Sequence, residues 1–264
     1  MRIRPLFAAA AAAASFAHAQ EVERAPFITT PSDVVERMLR FAGTGPADLV
    51  VDLGSGDGRI VITAARAFGA RGLGIELDRA LVEKSRDSAR VAQVADRVSF
   101  VHGNVLFADI SQASVVTVYL LPGLINQLQP RFIDELKPGT RIVSHAFAMA
   151  GWKPDRTETW RLAQRHPGQG DESRLFLWIV PAKVRGAWEA GELRLRIHQN
   201  FQEIEVEGTL AGKPLADVRA SLSGRDISWE AQGMRFGGVV EGRRIVGELI
   251  LQNQKTPLVL EPDR

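Results

Sequence analysis

The 264-residue chain carries 33 Lys and Arg against 31 Asp and Glu, a formal net charge of +2, and 45% of its residues are apolar. Such a chain suits one large domain plus a small one, and the near balance, without a Lys/Arg-rich block interleaved with aromatics, argues against a nucleic-acid partner. No cysteine is present, which excludes disulfides, zinc–thiolate sites and cysteine nucleophiles, and the five histidines are scattered, so no metal site is expected.

Arg2 and Arg4 open the chain, an apolar run extends from Leu6 to Phe16, and Ala17-His18-Ala19 precedes Gln20. A basic start, a short apolar run and small residues at the two positions a signal peptidase reads make residues 1–19 a bacterial secretory signal. The expected location is periplasmic or secreted, or cytoplasmic if the leader is retained. The run is too short to span a bilayer, and no other segment is long and apolar enough, so the mature chain is expected to have no transmembrane segment.

From Pro31 to Val180, helix-like and strand-like segments alternate. Thr30-Pro31-Ser32-Asp33 predicts a helix start, with Thr30 as cap, Pro31 in the first turn and Asp33 at the capping-box position. Leu49–Leu53 is an apolar strand interrupted only by Asp52. Gly58–Phe68 predicts a helix stopped by Gly69. Strands follow at Gly72–Leu77, Val98–His102 and Val115–Leu121, with a helix at Arg79–Val94. Leu124–Leu136 is helical, with Pro130 kinking or dividing it. Arg141–His145 is a fifth strand. Buried strands alternating with helices imply an α/β fold with a parallel sheet covered on both faces. Thr157–Gln164 and Arg174–Val180 then form two strands with no helix between them. Past Pro181, short alternating strands punctuated by glycine predict a small antiparallel β module. The expected division is a main domain over 26–183 and a β-rich domain over 184–264.

The chemistry concentrates in Asp52-Leu53-Gly54-Ser55-Gly56-Asp57-Gly58, between a strand and a helix. Glycines let the backbone turn sharply and approach a ligand, and the helix start offers free amides to an anion. In the dinucleotide motif the third glycine falls one residue later, where this chain has Arg59. Carboxylates at Asp52 and Asp57 would repel a pyrophosphate, whereas Asp52 can reach the ammonium of a methionine moiety. Glu76, ending the second strand, can accept both ribose hydroxyls. Together these residues favour S-adenosylmethionine (SAM) over NAD, with Gly54, Ser55, Gly56, Asp57 and Gly58 forming the cradle. Asn104 is placed either to contact adenine or to form a turn. Tyr119 either lines a methyl-transfer channel or packs with its hydroxyl satisfied. His145 serves as base, gate or structural group, and Trp152 covers the site or packs the sheet edge. Methyl transfer from an activated sulfonium needs mainly positioning, so no catalytic base is assigned and Tyr119 and His145 stand as candidates. The antiparallel pair ending the sheet is what class I methyltransferases have.

The stretch from Phe27 to Lys183 resembles the lysine methyltransferases related to the ATP-synthase c-subunit enzyme. The resemblance rests on Pro26-Phe27-Ile28-Thr29-Thr30-Pro31, Val51 to Ala64, Tyr119-Leu120-Leu121-Pro122, Leu136-Lys137-Pro138-Gly139 and Trp178-Ile179-Val180-Pro181. It implies a Rossmann-like seven-stranded sheet, SAM as cofactor and a protein lysine as candidate acceptor. It carries over Asp52, Gly54, Gly56 and Glu76 as cofactor contacts, and implies that Thr29 and Thr30 help cover the cofactor. The expected function is a SAM-dependent methyltransferase. The alternatives are an exported, non-catalytic binding or scaffold protein on the same fold and a dinucleotide enzyme.

Overall fold

The computed structural model describes residues 29–162 and 171–263. The leader, Pro26–Ile28 and the last two residues of the expected strand Thr157–Gln164 lie outside the described residues.

The first part runs α1 (Ser32–Phe41), β1 (Leu49–Leu53), α2 (Arg59–Phe68), β2 (Arg71–Glu76), α3 (Arg79–Val91), β3 (Val98–His102), β4 (Val115–Val118), α4 (Pro122–Glu135), β5 (Arg141–His145), β6 (Arg156–Arg161) and β7 (Glu172–Ile179). These strands form one seven-stranded sheet in the order β3-β2-β1-β4-β5-β7-β6. All pairings are parallel except those of β7, which runs antiparallel to both neighbours. Alternation along each strand separates two apolar layers. Val50, Val115 and Val143 face the layer of α1, α2 and α3, whereas Val51, Val116 and Ile142 face that of α4.

Several elements differ from expectation at their ends. α1 starts at Ser32 with Pro31 as its N-cap and no side-chain cap. Thr30 is buried instead, and its carbonyl accepts the Arg59 guanidinium at 2.8 Å. β4 ends at Val118, because Pro122 begins α4 three residues after Tyr119. α4 continues through Pro130 as one helix. α3 stops at Val91, where Gln93 adopts a φ of 57°.

Between β5 and β6 no helix forms; residues 146–155 cross the α4 face of the sheet as an irregular segment with a turn at Ala150-Gly151. Met149 and Trp152 fill the core that a crossover helix would otherwise close. Trp152 is 1% exposed, and its carbonyl accepts the Trp178 indole N–H at 2.9 Å. It therefore packs the sheet rather than covering the site.

The second part contains β8 (Gly186–Ala190), β9 (Leu193–Asn200), β10 (Glu203–Leu210), β11 (Lys213–Pro214), β12 (Arg219–Ser223), β13 (Asp226–Ala231), β14 (Met234–Glu241), β15 (Arg244–Leu251) and β16 (Gln254–Pro262). They form a nine-stranded sheet, β11-β10-β9-β8-β16-β15-β14-β13-β12, in which neighbouring strands run antiparallel. β10 also lies against β12, so the sheet curls around one core that includes Trp188, Trp229 and Phe236. The short strands expected at Leu193–Ile197, Ile204–Glu207, Val218–Leu222, Ile227–Trp229, Gly238–Val240 and Ile245–Leu251 fall on β9, β10, β12, β13, β14 and β15, whereas β8, β11 and β16 were not anticipated. The module is joined to the first part by backbone as well as side chains: Ala182 N–H donates to the Gly224 carbonyl at 2.7 Å, and Lys183 pairs with Asp134.

Candidate cofactor and methyl-transfer site

The ends of β1, β2, β4 and β5 converge on the turn that the glycines build. Asp52 is the fourth residue of β1 and is 2% exposed. Thr117, its register partner on β4, donates its hydroxyl to Asp52 Oδ1 at 2.7 Å. Burial pushes the Asp52 carboxyl up to about 7; the Thr117 hydrogen bond opposes this, and the negative charges of Glu76 and Asp57 add to it. A carboxylate buried against a hydroxyl donor calls for a cation.

The turn itself is held from three sides. Gly54, Gly56 and Gly58 all have positive φ, and Gly58 is the left-handed N-cap of α2. Gly56 N–H donates to Glu76 Oε2 at 2.8 Å, while Asp78 N–H donates to Glu76 Oε1 at 2.9 Å. Ser85, fully buried on α3, shares its hydroxyl hydrogen between the Gly56 carbonyl at 3.0 Å and the Leu81 carbonyl of its own helix at 2.8 Å. Glu76 is half-buried, and a carboxylate offers about four lone-pair sites, so its two backbone bonds leave capacity for hydroxyl donors. Arg59 grips both oxygens of Asp57, at 2.8 and 2.7 Å, and holds that carboxyl below its usual range. The same guanidinium reaches the Thr30 carbonyl, which ties the chain entering α1 to the glycine turn.

The other expected residues fall in different settings. Ser55 is buried, and its hydroxyl has no hydrogen-bond partner among the described residues; it lies against Gly74, whose Cβ would come within 2.6 Å of it. Ser55→Ala is accordingly expected to stabilise the protein by about 1 kcal/mol in thermal unfolding and to change SAM affinity by less than about twofold. A tenfold loss of affinity would show instead that the hydroxyl turns to the ligand. Asn104 Oδ1 accepts the Leu106 N–H at 2.9 Å, the turn alternative. Thr29 is half-buried beside Thr30.

Tyr119 follows β4 immediately, and Leu120 Cδ2 sits 2.9 Å from where a Gly54 Cβ would be. The Tyr119 ring lies 4.4 Å from the His145 ring and is stacked at 6.5 Å on Phe147. His145 is fully buried, with Nε2 2.8 Å from Ser173 Oγ. Its neighbour Ala146 has a φ of 67°. The three rings form an aromatic wall at the ends of β4 and β5, with His145 buried at its back, and Leu120, beside Tyr119, links it to the glycine turn. Three supporting groups escaped the sequence reading: Thr117, Ser85 and the clasp made by Arg59. Thr117 had a signal, a hydroxyl within the otherwise apolar strand Val-Val-Thr-Val. Ser85 had none, since nothing local distinguishes it from its helix neighbours. No group of three or more His, Cys, Asp or Glu able to hold a metal ion occurs among the described residues.

A seven-stranded sheet with one antiparallel strand, a glycine turn after β1 and buried or half-buried acids ending β1 and β2 define a class I SAM-dependent methyltransferase. The residues fit the cofactor: acids where its ammonium and ribose hydroxyls need partners, and a glycine cradle that side chains would fill. Comparison with known proteins agrees. The ANTKMT methyltransferase domain matches residues 52–156. A protein-lysine N-methyltransferase of Saccharolobus islandicus is 43% identical over 134 residues, which is 50% of this chain and 83% of that one. The ATP-synthase c-subunit lysine N-methyltransferase of Mus musculus is 38% identical over 135 residues, 50% of this chain and 53% of that protein. Among solved structures, an RNA methyltransferase from Salinibacter ruber in complex with S-adenosyl-L-homocysteine is 48% identical. It superimposes with a TM-score of 0.54, covering 60% of this chain and 96% of that one. The chain belongs to this ANTKMT-type family of SAM-dependent methyltransferases. It spans most of the archaeal relative but only about half of the mouse protein.

Proposed function

We propose that the protein methylates the side-chain amine of lysine in a protein acceptor. The observation that carries this reading is the aromatic wall of Tyr119, His145 and Phe147 at the ends of β4 and β5. Aromatic faces hold an approaching ammonium, and their low polarity favours the neutral amine that attacks. The names of the archaeal and mouse relatives support the same acceptor. The cofactor supplies an electrophilic methyl on sulfonium. In this reading Asp52 holds its ammonium, the amides of the Gly54–Gly58 turn take its carboxylate, and Glu76 accepts its ribose hydroxyls. Asn104 shapes the adenine end, and Thr29 and Thr30 close over the cofactor through the Arg59 clasp.

Incubation with methyl-labelled SAM and a cell extract tests the acceptor. Label is expected in protein, released as methyllysine on hydrolysis and removed by protease. Label removed by ribonuclease would overturn the reading in favour of an RNA acceptor, the second reading, which the likeness to the Salinibacter RNA methyltransferase supports.

The same proposal places the protein outside the cytoplasm, with residues 1–19 removed. The support is the basic, apolar and Ala17-His18-Ala19 order. Periplasmic protein is expected to begin at Gln20 by mass spectrometry; a cytoplasmic protein retaining the leader would overturn this part. No helix among the described residues is long and apolar enough to cross a membrane.

A further inference from the structure

The β module touches the first part of the chain close to the aromatic wall. The turn between β9 and β10, Phe201–Gln202, sits on the helix-free crossover that leaves β5. Phe201 stacks on Trp152 at 5.0 Å with the rings 9° from parallel. Trp152 Nε1 donates to Gln202 Oε1 at 2.8 Å, and Gln202 Nε2 donates to the Lys153 carbonyl at 2.7 Å. Lys153 pairs with Glu203 at 3.3 Å. One glutamine therefore satisfies a side chain and a backbone group of the crossover at once.

The turn is stiffened for this contact. Phe201 has a φ of 54°, a conformation that costs a bulky residue about 1–2 kcal/mol and persists where the surroundings hold it. Gln199 braces it: Nε2 donates to the carbonyls of Phe201 and Ala182, each at 2.8 Å. Its Oε1 accepts the N–H groups of Val184 and Arg185 at 2.8 and 3.1 Å. The hairpin tip, the linker between the two parts and the crossover thus form one hydrogen-bonded unit.

The other end of the crossover is the aromatic wall. Phe147 stacks with Tyr119, and its carbonyl accepts the Ser144 hydroxyl at 2.6 Å. Ala150 N–H donates to Asn126 Oδ1 on α4 at 2.9 Å. With no helix in the crossover, residues 146–155 are tied to the β7 backbone by their own amides only at their ends, Ala146 N–H to the Arg174 carbonyl and Asp155 N–H to the Leu177 carbonyl, each at 2.8 Å, and the packing of Trp152 anchors the stretch between. The cofactor turn is held separately, by Glu76, Ser85 and Arg59, all within the first part of the chain.

We propose that the β9–β10 turn is a positioning element for the acceptor side of the site: Phe201 and Gln202, through Trp152, hold the crossover that carries Phe147 against Tyr119. The inference rests on the reading that this wall receives the acceptor. It gives the β module a role in acceptor turnover that is separable from cofactor binding.

The test uses the full chain with Phe201→Ala and, as the milder change, Gln202→Ala. Three quantities are measured: hydrogen exchange, S-adenosylhomocysteine affinity by calorimetry, and methylation of poly-L-lysine. Exchange at residues 146–152 is expected to quicken about tenfold, while residues 52–58 stay unchanged. Affinity for S-adenosylhomocysteine should hold within about twofold as kcat/KM for poly-L-lysine falls about tenfold. Unchanged exchange at 146–152 in the variants, or a loss of cofactor affinity as large as the loss of kcat/KM, would overturn the proposal. If Phe201→Ala does not fold, Gln202→Ala decides, since it removes two hydrogen bonds and leaves the ring stack. If the wild type leaves poly-L-lysine unmethylated, the acceptor reading fails on that probe, and the exchange data still decide whether the turn holds the wall.

Discussion

Asp52→Asn is expected to weaken SAM binding about a hundredfold and, at the same time, to raise the melting temperature of the ligand-free protein at pH 8. Both effects come from one buried carboxyl. In the folded protein burial lifts it from 3.8 to about 7, with Thr117 Oγ1 as a hydrogen-bond donor. A folded-state value above the unfolded one means that the folded state binds the proton more tightly. Its stabilising share is complete below about pH 4 and is lost as pH rises through 7. The rise corresponds to roughly 4 kcal/mol at most by linkage. Asn keeps an oxygen for the Thr117 hydroxyl and carries no charge to bury, so the variant escapes that loss. The gain should be full at pH 8 and less than half as large at pH 5. Cofactor affinity moves the other way, because the proposed ammonium contact loses its charge; a weakening of about a hundredfold, about 3 kcal/mol, is expected by calorimetry. The wild type should show the matching trend. Its SAM affinity should weaken up to about tenfold per unit as pH falls below 7 and level off above it, as one proton competes with the ligand. Asp52→Asn binding SAM normally, or melting at the wild-type temperature at pH 8, would sink this account.

The second large effect is expected at Gly58. This residue has a φ of 79°, where a side chain is strained by about 1–2 kcal/mol. It also has no room: an added Cβ would lie 2.6 Å from Phe100 Cε1 and 2.9 Å from Ser85 Cβ. Overpacking adds about 1–3 kcal/mol. Gly58→Ala should therefore cost about 3 kcal/mol and lower the melting temperature by roughly 6–12 °C in a chain of this size. It should also displace the turn and with it SAM binding. Phe100→Leu in the same chain relieves part of the clash, so the double variant should be more stable than the sum of the single changes predicts. Strict additivity would place the damage in backbone strain alone.

The sheet was legible because its central strands β1, β4 and β5 are buried on both faces and its helices carry apolar stripes. Val98–His102 and Arg141–His145 fall within their expected bounds. Helix and strand ends were less so. Thr30 had the chemistry of a cap, but burial and the Arg59 guanidinium claimed it. Pro130 removes one backbone donor from α4, yet Ile125, Leu128 and Phe132 are buried along the same helix and keep it continuous. Within the glycine turn, the spacing and the two acids pointed to the ligand class because charge and chain reversal are local properties. The supports were not local. Ser85 meets Gly56 across 29 residues, and Thr117 meets Asp52 across 65. The position of the β module was beyond reach for the same reason, since Phe201 and Trp152 carry no mutual signal in the sequence.

The crossover without a helix also bears on how the chain folds. Its core is sealed by a hydrogen bond between residues 50 positions apart, Trp152 and Gln202. Until the β9–β10 turn has been synthesised, the α4 face of the first domain keeps an open apolar seam around Trp152. Closure then depends on non-local contacts, whose loop entropy must be met before they form, and such contacts slow folding. A chain truncated before residue 201 should thus linger with that seam uncovered, and the last third of the protein acts on the first as a late-arriving lid on its core.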